Sequence, residues 1–123
     1  MPTQIRVLIA DDHRLFAEAL EAILGTDERI AVVGRAGDGV EAVVLSRALE
    51  PDVVLMDLSM PGLDGIAATR QIRSEGRSRV LVLTGSNSRA DVDRSRTAGA
   101  SGYVTKDRIA SELVDSIVEV AAR

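Results

Sequence analysis

The chain has 123 residues, a formal net charge of −4 and no cysteine. That length fits one domain able to bury a single core, and the lack of thiols excludes a disulfide framework or a thiolate metal site and suits a reducing, cytoplasmic setting. The acidic balance, with one Tyr, one Phe and no Trp, argues against a nucleic-acid surface built on clustered positive charge and stacking rings; no run reaches membrane-spanning length and no signal-peptide pattern opens the chain.

The first segment, Ile5–Ala10, is an apolar run with one charge that halts at the paired acids Asp11 and Asp12, and it predicts a strand. Over residues 13–24, Phe16, Ala19, Leu20, Ile23 and Leu24 recur three and four apart, an amphipathic helix that Asp12 can cap and Gly25 can end. Ile30–Ala36 reads as a second strand, and residues 40–49 as a second helix with Val40, Val43 and Val44 turned inward. Pro51 separates that helix from Val53, Val54, Leu55 and Met56, a short buried strand that delivers Asp57 to a turn marked by Ser59, Pro61 and Gly62.

Residues 65–73 predict a third helix, with Asp64 at its start and Gly76 past its end. Arg79–Thr84 is another near-continuous apolar run, the signature of a parallel strand covered on both faces. Residues 88–98, starting at Ser88, read as a helix with little apolar surface beyond Ala90, Val92 and Ala98, so its packing should be weak. Residues 99–105 supply a turn and a fifth strand, and Ile109, Leu113, Ile117 and Val120 mark a last amphipathic helix. Strict alternation of this kind gives parallel strands joined by right-handed crossovers, a doubly wound α/β domain, and no internal repeat or linker marks a second one.

Parallel connection brings the carboxyl ends of the strands to one edge, where Asp11, Asp12, Asp57, Thr84 and Lys106 gather. Three carboxylates converging at about 4 Å repel by roughly 4 kcal/mol per pair at an effective dielectric near 20. A hard divalent cation such as Mg²⁺ offsets that repulsion with few carboxylates and can bridge a phosphoryl group. Of fifteen basic residues only Lys106 is a lysine, a mobile point charge that a planar guanidinium would imitate badly. Two other patterns compete. Residues 37–42, GDGVEA, fit the GxGxxG/A dinucleotide fingerprint with Asp57 about twenty residues on, but that reading leaves Asp11, Asp12, Thr84 and Lys106 without a task. An aspartyl-phosphate phosphatase would want a second acid two residues after the nucleophile, where Ser59 stands. His13, with no partner spacing, reads as a surface or helix-start residue.

The paired acids, the segment DLSMPGLDG at 57–65, Thr84 followed by Gly85, and Tyr103 three residues before Lys106 stand in one familiar order. Over residues 1–123 the sequence resembles the receiver domain of two-component response regulators. The run DDHRLF at 11–16 resembles the subfamily whose receivers carry a C-terminal LuxR-type helix-turn-helix (NarL/FixJ-like). The resemblance implies a flavodoxin-like (βα)5 fold with strand order 2-1-3-4-5. It makes Asp57 the phosphoryl acceptor from a sensor histidine kinase, with Mg²⁺ held by Asp11, Asp12, Asp57 and the backbone carbonyl of Ser59. Thr84 and Lys106 would bind phosphoryl oxygens, and Thr84 and Tyr103 would form the conformational switch.

The same resemblance implies kinase docking on the first helix at Arg14, Leu15 and Glu18. It implies a homodimer through the fourth helix, fifth strand and fifth helix, or through the first and fifth helices. The expected function is that of a signalling phospho-acceptor catalysing only its own phosphorylation and dephosphorylation. It binds neither DNA nor membrane itself and controls transcription through an output domain absent from these residues. Two departures stand out: Asp107 follows Lys106 where the family often has proline, and Ser59 and Ser86 occupy variable positions that tune hydrolysis of the acyl phosphate.

Overall fold

Five apolar runs become five strands, and the segments between them become the helices that cover the sheet. β1 (Ile5–Ala10), β2 (Ile30–Ala36), β3 (Val53–Asp57), β4 (Arg79–Thr84) and β5 (Gly102–Thr105) alternate with α1 (Arg14–Leu24), α2 (Gly39–Leu49), α3 (Gly65–Glu75), α4 (Arg89–Thr97) and α5 (Ile109–Ala121). A 3-10 turn at Lys106–Arg108 leads into α5. The computed structural model describes residues 3–58, 60, 64–85 and 89–123; the expectations at Ser59, Pro61, Gly62, Ser86 and Ser88 fall outside them. All strand pairs are parallel, in the order β2-β1-β3-β4-β5. Successive side chains along a strand face opposite ways. Val7, Ile9, Leu55, Leu81 and Leu83 therefore join Leu20, Leu113 and Ile117 of α1 and α5, while Leu8, Val54, Met56, Val80 and Val82 join Val43 and Ile72 of α2 and α3. With both faces covered, the strands need continuous rather than alternating apolarity.

The last helix buries the four residues its spacing predicts, Ile109, Leu113, Ile117 and Val120. Several helix details differ from expectation. Asp12 does not cap α1: His13 is the N-cap without a side-chain bond, and the Asp11 carboxylate accepts the His13 N–H at 2.8 Å, a local turn that delays the helix by one residue. Along α1 the inward stripe runs through Ala17, Leu20 and Leu24, and Ala19 is exposed. On α2, Val40 and Val44 are exposed, and Gly39, Ala42, Val43 and Ser46 face inward. The inward side carries mostly small residues, so of the three valines only Val43 lies on it.

α3 runs two residues further than predicted, to Glu75, and the Asp64 carboxylate caps it by accepting the Ala67 N–H at 2.7 Å. α4 buries only Val92 and Ser95, with Ala98 buried just beyond its end, the weak packing its polar sequence predicts, whereas Ala90, expected on the apolar face, is exposed. Gly99, at φ +108°, reverses the chain out of α4 toward β5 in a conformation that side chains rarely adopt. No helix among the described residues is long and apolar enough to cross a membrane.

Candidate functional site

Strand register assembles the site. Ala10 pairs with Met56 and the Asp11 N–H donates to the Ala36 carbonyl at 2.9 Å, so Asp11 continues the line of β1 beside Asp57 at the end of β3. Asp57 pairs with Leu83, which puts Thr84 one step beyond it, and Thr84 pairs with Thr105, which puts Lys106 one step beyond that. Asp57 is 1% exposed and Asp11 4%, with Thr84 buried between its neighbours. The Lys106 ammonium reaches Asp57 Oδ2 at 3.4 Å, its own side chain 28% exposed. No described peptide bond is cis, so Asp107 follows Lys106 through a trans bond.

Burial, first, and the charges of Asp57 and Asp12 raise the pKa of Asp11, opposed by the His13 N–H and by Lys106. Asp11 Oδ2 is buried without a hydrogen-bond partner among the described residues. An orphaned carboxylate oxygen beside a second buried carboxylate is a donor set that fits a hard, oxygen-seeking divalent cation. Asp11, Asp12 and His13 can also bring one ligand atom each within 4.8 Å of one another. The His13 ring is exposed and 4.0 Å from Asp12, and its nitrogen suits softer metals than Mg²⁺.

Asp11, Asp57, Thr84 and Lys106 thus converge, with Asp12 on the solvent side. The carbonyl of Ser59 lies outside the described residues. Tyr103 stands apart: it pairs with Val82 in β5 and faces solvent. Arg14, Leu15 and Glu18 are all exposed on α1, with Arg14 and Glu18 paired at 3.3 Å. The competing glycine motif is filled from within. Asp38 accepts the Glu41 N–H at 2.8 Å and Glu41 accepts the Gly37 N–H at 3.2 Å, a reciprocal cap that occupies amides a pyrophosphate would need.

One contact escapes the sequence reading. The Lys106 ammonium lies over the Phe16 ring, 4.8 Å from its centroid. Periodicity marks Phe16 only as an apolar helix residue; the available signal is that the chain's sole phenylalanine sits on the first turn after the paired acids.

Residues 7–118 match the response regulator receiver domain family. Response regulator GacA of Pseudomonas aeruginosa is 41% identical over 96% of this chain and 56% of its own length. Transcriptional regulatory protein LiaR of Bacillus subtilis is 44% identical over 92% of this chain and 54% of its own length. The chain therefore spans about half the length of these relatives. The signal receiver domain of the response regulator NarL from Mycobacterium tuberculosis superposes with a TM-score of 0.94 at 37% identity, covering 98% of both chains. An acid-lined sheet edge facing one lysine, on this strand order and with these relatives, means that the chain belongs to the response regulator receiver domain family.

Proposed function

We propose that Asp57 accepts a phosphoryl group from the phosphohistidine of a sensor histidine kinase in the cytoplasm. The observation that carries this reading is the buried Asp57 carboxylate with Lys106 at 3.4 Å. A carboxylate oxygen of Asp57 attacks phosphorus as the P–N bond breaks, and the imidazole nitrogen leaves with its electron pair and takes a proton from solvent. Asp11, Asp12, Asp57 and the Ser59 carbonyl would hold Mg²⁺, which when bound neutralises charge on the carboxylates and on the transferring oxygens. Lys106 and the Thr84 hydroxyl bind phosphoryl oxygens, and such fixed charges and donors are most of what phosphoryl transfer asks of a protein.

As Thr84 moves toward the phosphate, Tyr103 turns inward from its solvent-facing position and changes the surface of α4, β5 and α5. The chain catalyses only its own phosphorylation and dephosphorylation. The kinase docks on α1 at Arg14, Leu15 and Glu18, and a homodimer forms through α4-β5-α5 or α1-α5. Residues 1–123 act as the receiver, and output passes to a DNA-binding domain outside them; the longer transcriptional regulator among the relatives supports that division. Incubation with Mg²⁺ and acetyl phosphate should raise the intact mass of the wild type by one phosphoryl group and leave Asp57→Asn unchanged. Equal labelling of both proteins would remove Asp57 from the role.

A further inference from the structure

We infer that Phe16 is a positioning residue for Lys106, holding its ammonium where the phosphoryl group must meet it; the inference rests on Asp57 being the acceptor. The only lysine and the only phenylalanine of the chain lie together, the ammonium 4.8 Å from the ring centroid and 3.4 Å from Asp57 Oδ2. The ring itself is fixed, since Phe16 is half-buried on α1 against the core shared by α1 and α5.

An aromatic face attracts a cation through its quadrupole. It does so without the directional demand of a carboxylate or carbonyl, so the ammonium keeps its N–H donors for Asp57 and for phosphoryl oxygens. A lysine on a flexible four-carbon stem must otherwise give up rotamer freedom at the moment it engages. A ring that seats it beforehand removes part of that cost from the transfer step. A carboxylate in the same place would hold the lysine by a competing salt bridge. An aliphatic side chain would fill the space and leave the charge unheld. Phe16 combines apolar packing on one side with attraction of the cation on the other.

The experiment compares wild type, Phe16→Leu and Phe16→Tyr in phosphorylation by acetyl phosphate at saturating Mg²⁺, followed by intact mass. It also measures unfolding of Phe16→Leu in the native and Lys106→Met backgrounds. Phe16→Leu should slow labelling about two- to fivefold, the range for a cation over a ring at a part-exposed site, with Mg²⁺ affinity unchanged and Phe16→Tyr restoring the rate. Its effect on the unfolding constant should shrink by a similar factor when Lys106 is methionine. Equal rates for Leu and Phe, or the same unfolding effect in both backgrounds, would reduce Phe16 to a core side chain. A wild type that takes no phosphoryl group sinks the acceptor reading instead, and the unfolding cycle then decides alone whether ring and ammonium are coupled.

Discussion

Asp11 is buried beside the Asp57 and Asp12 charges, with one carboxylate oxygen lacking a hydrogen-bond partner among the described residues, and burial above all raises its pKa above the usual carboxylate value. An acid whose folded pKa exceeds its unfolded value binds protons more tightly when folded, so its ionisation destabilises the fold. That cost is complete above the folded pKa and fades as the pH falls toward the unfolded value. In protein stripped of metal by a chelator, Asp11→Asn should therefore raise stability at pH 7 by about 1 kcal/mol, or roughly 4 °C in the unfolding midpoint. The gain should shrink toward pH 4. Mg²⁺ should stabilise the wild type and do little for the variant. Thermal unfolding with and without the metal checks this, and a chelated variant melting below wild type would contradict the account. The acids of the site are legible in sequence because each ends an apolar run. The ring beside Lys106 is not, since its position depends on how α1 is rotated, and periodicity fixes that only to within a residue.

Gly65 shows what an element's first residue can demand. A Cβ added there would collide with the Asp57 carbonyl and lie 2.8 Å from the Leu58 Cα, so α3 can start beside Asp57 only with glycine in that place. Gly65→Ala should cost about 1–3 kcal/mol as the helix start shifts, and it should slow phosphorylation by displacing the Asp57 backbone; denaturant unfolding and labelling rates measure the two effects. Native stability with normal labelling would show that the two elements can separate harmlessly. Legibility varies by element for related reasons. Four strands begin and end where their apolar runs do; β3 and β4 are covered on both faces, which leaves them no freedom of face, whereas the edge strand β2 stays part-exposed. On α2 the rule of bulk fails: the inward side carries the small Gly39, Ala42 and Ser46 beside Val43, and Val40 and Val44 are left outside. The glycine motif before it mimics a nucleotide loop because capping and phosphate binding use the same helix-start amides.

Across the molecule, burial is uneven in a way the sequence already suggests. α5 anchors four apolar side chains in the core, whereas α4 contributes Val92 and the small polar Ser95. Elements with few buried apolar contacts open at low free energy. Amide hydrogen exchange should therefore run faster in α4 than in α5, with the central strands β1 and β3 slowest and exchanging only through global unfolding. Equal protection of the two helices would mean that α4 is held by something other than apolar burial, and would weaken its proposed part in switching. Uneven burial suits a module whose sheet must keep a charged edge in register while one flank rearranges.

The solitary lysine has a chemical corollary. Fourteen of the fifteen basic residues are arginines, so the chain carries a single side-chain amine, and that amine lies 3.4 Å from the Asp57 carboxylate while still partly open to solvent. A reagent that acylates lysine but not guanidinium has one side-chain target here. Whether that amine is covered by a phosphoryl group, a metal-bound carboxylate or nothing at all is then written into the reactivity of one atom, with no other lysine to blur the signal.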